Sequence, residues 1–462
     1  MYTDFMKLCG YEDQELEQQR PRIDKAFDIL GIGKEDISRG ERRVHENFDT
    51  SLEGVRKFLR VYMEELVSLP LCREEYKKVI YTDWPFPGAM LMAIEKLSND
   101  VFISAYGEVL NVGMGMIFDK LSPIMEAGEQ TGLGIGEAHC ALWQTHVGAI
   151  AKGILPLPDL MISSGWYCDQ AAEADQLLAE LYDIPTVYMD GCLDGQWGEW
   201  PDHLSERMIR YSGGQLEKVF SKLEEVTGYT ITEEMRKAGR RDQGKYYYNF
   251  SNLAEMVGKS DPQAISQAVI NLPFWLTGSP IRKREEANTA LITLIGETKQ
   301  RIEKGEGVVE KGAPKVYFGL RMAVDASILK MVESLGLAIS LCFIDWITPE
   351  ERTTRGKATD FGQKVMEGWF RRGLMYSAQG AIDYFADYCK AWNVDGAILC
   401  YPYSCRPYAI HPLMGKKTIK ERLDIPVLVL EGDAYDTRNY SAGQMRTRVE
   451  TFAELLKMRK AT

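Results

Sequence analysis

The sequence predicts an α/β protein made of two doubly wound parallel sheets, with one helical region ahead of the first sheet and another between the two. Three observations carry that expectation. Short apolar runs alternate with helical patterns from about residue 77 to 190, and do so again from about 315 to 458. The stretch between them, 201–304, is long, charged and helical in period. Strand, helix, strand at this spacing is the mark of a parallel sheet, because a parallel crossover needs a helix-length return.

The totals agree with this size. A chain of 462 residues has room for two or three domains, and 45% apolar residues can fill a sizeable core. With 55 basic and 67 acidic residues the net charge is −12, which argues against nucleic acid or an anionic membrane as partner. A local basic pocket for a phosphorylated ligand is compatible with that total. Charge interrupts most apolar windows, and the opening MYTDFMKLCGYEDQELEQQR is acidic and lacks a signal-type run. The expectation is a cytoplasmic protein without a membrane span.

Taken in order, residues 1–75 read as a helical N-terminal region. Ile23, Phe27 and Leu30 recur at helical spacing, followed by Val55, Phe58, Leu59 and Met63. The first α/β domain, 76–200, starts with strand 77–81, which Pro85 and Pro87 end, and a helix is expected over 90–96. Further strands are expected at 101–104, 159–164 and 185–189, with helix 170–182 between the last two. The linking region, 201–312, includes a helix start capped by Thr232 and ends in a turn-rich hinge from Gly305 to Gly312. Its KYYYNFSN run is read as core packing. The second α/β domain, 313–462, offers strands at 315–319, 337–341, 394–399 and 425–430, one long helix over 364–392, and a final helix over 442–458. Such a series fits a flavodoxin-like sheet in each domain.

Nine cysteines, an odd number without an export signal, point to reduced thiols rather than a disulfide framework. Most should be core residues, since free cysteine is among the most buried types; Cys9, Cys72, Cys342 and Cys389 are read that way. Three other segments put cysteines where loops lining the ligand crevice of such a sheet would begin, two of them after predicted strands. VDGAILCYPYSCRP carries Cys400 and Cys405 just after a strand, LMISSGWYCDQ leads a strand into Cys168, and GEAHCALW carries Cys140. Thiols from three separate segments suggest one soft-metal site between two domains.

Competing motifs are weaker. GLGIGE at 132–137 lacks the third glycine of a dinucleotide loop and follows no clear strand, and no Walker-type phosphate loop occurs. Zinc on Cys140 and Cys168 with His139 or His146 is open, although the close C-x-x-C knuckles of structural zinc sites are missing. Widely spaced thiolates on separate loops suit an iron–sulfur cubane better.

SSGWYCD (163–169), DGAILCYPYSCRPY (395–408) and EGDAYDTRNYSAGQMRTRVETFAELL (431–456) together resemble the 2-hydroxyacyl-CoA dehydratase and benzoyl-CoA reductase family, in its D-component-type subunits. The likeness runs from about Lys77 onward. It implies a 4Fe–4S cluster held by Cys140, Cys168 and Cys405. It also implies an acyl-CoA substrate, an ATP-hydrolysing iron–sulfur activator that delivers one electron, and a dimer with a homologous subunit or with itself. The reaction so implied is elimination of water through a ketyl radical.

The resemblance leaves alternatives. A benzoyl-CoA-type reductase is one. A double-cubane enzyme is another, in which Cys192 and Cys400 would be extra ligands rather than strand-end core residues. A cluster-bearing but non-catalytic partner subunit is the third. The acidic residue that the family has after the first strand is not cleanly matched at DWPFPGAM, so no acid–base residue is assigned. His139, Trp143, Ser164 and Ser404 are candidates to shape the pocket or donate to cluster sulfur. Asp433, Asp436 and Arg438 are read as scaffold joining the last strand to the final helix.

Overall fold

A computed structural model of the chain describes residues 2–83, 91, 100–134, 139–165, 168–190, 206–319, 325–341, 356–370, 378–402, 404–406, 409, 411–433, 435–438 and 441–461. Two four-stranded, all-parallel sheets organise it. The first contains β1 (Lys78–Thr82), β2 (Val101–Ser104), β3 (Leu160–Ser164) and β4 (Thr186–Met189), in the order β2-β1-β3-β4. The second contains β5 (Lys315–Gly319), β6 (Ala338–Leu341), β7 (Gly396–Tyr401) and β8 (Val427–Glu431), in the order β6-β5-β7-β8. Both orders are the doubly wound arrangement expected from the sequence, with the reversal of direction between the first and third strands of each sheet.

Burial follows strand position. β3 is buried at every residue and β1 at all but its first, because helices cover both faces of a parallel sheet. The edge strands β4 and β8 are only partly covered. Register is regular in the first sheet, where Tyr81 lies opposite both Ser104 and Met161, and Thr82 opposite Ile162.

The helices of the N-terminal region are α1 (Thr3–Leu8), α2 (Asp13–Leu30), α3 (Lys34–Asn47) and α4 (Glu53–Glu75). The first α/β unit adds α5 (Tyr106–Leu110), which runs on into a π-helical turn over Asn111–Ile117, then α6 (Ser122–Glu129), α7 (Ala141–Ala151) and α8 (Asp169–Tyr182). The linking helices are α9 (Glu206–Thr227), α10 (Glu233–Lys259), α11 (Gln267–Phe274) and α12 (Arg284–Lys304). The second unit adds α13 (Ala326–Ser334), α14 (Phe361–Phe370), α15 (Ala378–Ala391), α16 (His411–Leu423) and α17 (Ala442–Ala461).

Several local expectations meet the coordinates directly. Thr232 caps α10 by accepting from the Met235 amide. Gly305 ends α12 in the left-handed conformation at φ 69°, which glycine adopts without a Cβ penalty. In the tyrosine run Tyr246 and Tyr247 are buried and Tyr248 is exposed. Of the helix expected over 364–392, the described residues form α14 and α15, and residues 371–377 between them lie outside the described residues. The helix expected over 90–96 also lies outside them.

The N-terminal and linking regions pack on each other. Gly54 of α4 is pressed against Leu294 of α12, where a Cβ would meet its backbone at 2.7 Å. Tyr62 donates to the Leu272 carbonyl at 2.6 Å, and Asp49 pairs with Arg301 at 2.6 Å. No helix among the described residues is long and apolar enough to cross a membrane.

Candidate metal centre between the two sheets

Two of the three predicted thiols are placed by one device. Cys140 is the N-cap of α7, and Cys168 is the N-cap of α8, each with extended backbone just before the helix begins. A helix start exposes unpaired N–H groups and the positive end of the helix dipole, which favours a thiolate there. For Cys168 the Ala171 amide, the Trp143 indole and the Gln170 amide all act in that direction. Burial acts against them and wins. Both residues are buried, and desolvation raises both thiols above the ordinary cysteine range. Thiols of this kind need a neighbouring cation to ionise, and a coordinated metal supplies one.

The third thiol comes from the other sheet. Cys405 is half-buried in the turn after β7, where its amide donates to the Pro402 carbonyl at 3.0 Å and its carbonyl accepts from Ala409 at 2.9 Å. Arg406, its neighbour, reaches across to the first turn of α8. It donates to Asp169 at 2.6 Å and to Glu173 at 3.1 Å, so the Cys405 loop is tied beside Cys168. After burial, the groups that raise the Cys140 thiol are Asp433, Cys405 and Cys168. The structure therefore brings all three thiols into one electrostatic neighbourhood.

Asp433, just past β8, closes the same region. It accepts from Ser404 through Oδ2 and from the Tyr435 and Asp436 amides through Oδ1. Burial nevertheless raises its carboxyl above the usual range. Asp436 and Arg438 are scaffold, with a different anchor from the expected one. Arg438 pairs with Asp436 and crosses to Glu129 at the end of α6, both at 2.9 Å, rather than joining the final helix. The reason is position: the chain after β8 faces the first sheet before it turns into α17.

The remaining candidates separate. Cys400 is a buried residue of β7 whose thiol burial alone pushes up to about 12. Cys192 lies outside the described residues, as does Cys342. Cys9, Cys72 and Cys389 are buried, and Cys72 sits 3.4 Å from the Tyr81 hydroxyl. The His139 ring lies 3.6 Å from Glu173, with its pKa lowered by burial. His146 turns to Asp175 at 2.8 Å. Among the described residues no three Cys, His, Asp or Glu side chains form a group that could hold a metal ion. A cubane spreads its ligands over separate irons, so its thiols need not meet at one point. Arg406 and the Asp175–His146 pair escaped the sequence reading; a cation immediately after the last cysteine was the available signal for the first.

Residues 102–456 match the family model for the 2-hydroxyglutaryl-CoA dehydratase D-component. The chain belongs to this D-component family. Among curated relatives it is 21% identical over 313 residues to (R)-2-hydroxyglutaryl-CoA dehydratase, subunit alpha, of Acidaminococcus fermentans, covering 65% of this chain and 61% of that protein. It is 21% identical to lactoyl-CoA dehydratase subunit alpha of Anaerotignum propionicum, covering 66% and 71%. It is 20% identical to the (R)-2-hydroxyisocaproyl-CoA dehydratase alpha subunit of Clostridioides difficile, covering 70% and 78%. The D-component match spans β2 to α17, so it includes all three candidate cysteines.

Proposed function

We propose that the chain is the iron–sulfur subunit of a 2-hydroxyacyl-CoA dehydratase, with Cys140, Cys168 and Cys405 as ligands of a 4Fe–4S cluster. It would act beside a second, similar subunit and accept one electron from an ATP-hydrolysing activator, so that water leaves an acyl-CoA thioester by a radical route. The observation that carries this reading is that Cys168 and Cys405, drawn from two sheets, both act on the Cys140 thiol, with Arg406 tying the Cys405 loop to the helix that Cys168 caps, in a chain of the D-component family. When bound, such a cluster supplies single-electron chemistry and an open iron position for a thioester oxygen.

The donor set fits that group: three soft thiols from three segments, two of them at helix N-termini. The chain's own contribution is to bury these thiols, aim N–H donors at Cys168 sulfur, and lock the second-sheet loop against α8 through Arg406. Donors to ligand sulfur raise the potential of a cluster, and burial lowers it.

The test is anaerobic iron and sulfide analysis of variants. Cys140→Ala, Cys168→Ala and Cys405→Ala are each expected to lose the brown chromophore, while Cys72→Ala and Cys400→Ala keep it. Full iron retention in any of the first three overturns the ligand assignment. Turnover of a panel of 2-hydroxyacyl-CoA thioesters with activator, ATP and a co-expressed second subunit tests the reaction.

A further inference from the structure

Beneath the thiols lies a buried polar cluster that neither the ligand set nor the reaction uses. Asp175 is on α8, the helix capped by Cys168, and His146 is on α7, the helix capped by Cys140. Their side chains meet at 2.8 Å between His146 Nε2 and Asp175 Oδ1, with no more than 1% of either residue exposed. Tyr106 of α5 stacks on the His146 ring at 4.4 Å and donates its hydroxyl to the His146 carbonyl at 3.1 Å. Trp143 meets the same ring edge-on at 5.5 Å and also acts on the Cys168 sulfur. The imidazole is thus clamped on several sides, and Asp175 is its polar contact across helices among the described residues.

Asp83 completes the cluster. It is the residue after β1, it is buried, and neither of its carboxylate oxygens has a protein donor among the described residues; nor does Asp175 Oδ2. The two carboxyls face each other, and the charged groups acting on Asp83 are Asp175 and Glu108, which is itself buried. Tyr81 and Tyr106 line the cluster from β1 and α5, Tyr62 of α4 faces Glu108, and Tyr188 of β4 faces Asp175. Extending the sheet register by one residue sets Ser163 beside Asp83, on the face that also carries Tyr81 and Ser104. The hydroxyls of both serines are buried without a protein partner among the described residues. Two carboxylates in contact inside a protein do not both ionise, so one proton stays between them.

We propose that Asp83, Asp175 and His146 form a hydrogen-bonded strut, with one proton shared by the two carboxyls, that fixes the spacing of the Cys140 and Cys168 thiols. The inference rests on the reading of those thiols as ligands. Its members are positioning residues. The Asp83 carboxyl hands its hydrogen to one oxygen of Asp175, and the His146 Nε2–H is given to the other. β1, α8 and α7 are thereby held at a common distance. Losing the shared proton leaves two like charges face to face and drives α8 away from β1. Burial and the Asp175 charge raise the Asp83 carboxyl well above its ordinary value. A raised carboxyl stabilises the fold at low pH, and that contribution is lost as pH climbs through the folded-state value.

The experiment uses the full chain in metal-free and reconstituted forms. Asp83→Asn keeps a hydrogen bond to Asp175 and removes the proton that dissociates. In metal-free protein it is expected to flatten the fall of Tm that the parent shows as pH rises above the ordinary carboxylate range. His146→Phe keeps an aromatic ring against Tyr106 and removes the Nε2–H together with Nδ1. Reconstituted, it is expected to surrender iron to a chelator roughly tenfold faster than the parent, as supporting residues of metal sites do, while Asp83→Asn holds it. Parent-like iron loss from folded His146→Phe overturns the strut, and an unchanged pH profile in Asp83→Asn overturns the shared proton. A parent chain that takes up no iron and sulfide overturns the ligand reading instead, and the metal-free pH comparison still decides the carboxyl pair.

Discussion

The two sheets share a strand order and a device at their amino ends, yet they carry the candidate site unequally. Asp159, just before β3, donates its amide to the Val79 carbonyl at 2.7 Å and accepts the Val79 amide at 2.8 Å. Asp395, just before β7, does the same with Lys315, at 2.7 Å in both directions. Each carboxylate staples the start of the neighbouring central strand and is held by a cation, Arg73 at 2.7 Å for the first and Lys460 at 3.1 Å for the second. At the carboxyl ends the likeness stops. The first sheet supplies two thiols on helix N-caps above a buried carboxyl–imidazole strut, whereas the second supplies one thiol on a loop and an arginine that ties it down. A repeated scaffold fixes the strands, and the loops beyond them are free to differ.

Close packing behind α7, the helix capped by Cys140, offers the largest effect that bears on this contrast. A Cβ on Gly148 of α7 would collide with the Ile124 carbonyl oxygen of α6, and one on Gly128 of α6 with the Gln144 carbonyl oxygen. Backbone cannot yield as a side-chain tip does. Gly148→Ala is therefore expected to cost about 3 kcal/mol or more, read as a fall in Tm or in denaturation midpoint. In the second sheet, a Cβ on Gly415 of α16 meets side chains alone, a Leu399 methyl at 3.2 Å and the Phe385 ring at 3.8 Å. There the gain in helix propensity of about 1 kcal/mol offsets the contact, and Gly415→Ala should stay within about 1 kcal/mol of the parent. Equal losses at the two positions would show that α7 is no more tightly seated than its counterpart.

The staples give the next effect, and the two should match. Asp159→Ala and Asp395→Ala each free a strand-start amide from a charged acceptor, with an expected loss of about 1–2 kcal/mol once partial exposure is allowed for. Burial works to raise the Asp159 carboxyl, but the Val79 amide and the Arg73 guanidinium outweigh it and hold the carboxyl below the ordinary range. A lowered carboxyl contributes stability above its unfolded value and loses it as pH falls through the folded one. The Asp159→Ala deficit should therefore be full at neutral pH and vanish in acid. A deficit that persists below the ordinary carboxylate range would count against the staple.

Arg406→Ala is the smallest. Its partners Asp169 and Glu173 are more than half exposed, and such pairs contribute under about 1 kcal/mol. Its Tm should hardly move. If Cys405 is a ligand as proposed, iron retention should move more than Tm does, which separates the loop tie from general stability.

Much of this was legible along the chain. β3 and β7 announce themselves as apolar runs ending in Ser-Ser or Cys-Tyr, and the three cysteines follow from standing just past such ends or before a helix. The region from Tyr106 to Ala151 was not legible, because α5, its π-helical continuation and α7 are buried nearly throughout and show no polar face to set a period. Asp175 was silent, and no spacing rule joins it to Asp83 or to His146, which the sequence offered only as a zinc candidate.

The order of residues by itself determined the two wound sheets, the capping of α10 and α12, and which cysteines fall at strand or helix ends, since each depends on neighbours a few positions away. Tertiary structure alone decided that Arg406, beside Cys405, meets the helix capped by Cys168, that Arg438 anchors on α6, and that the Asp175 carboxyl lies against the His146 imidazole. These depend on how two sheets and their helices close on each other, and burial then sets the charge state of what they enclose.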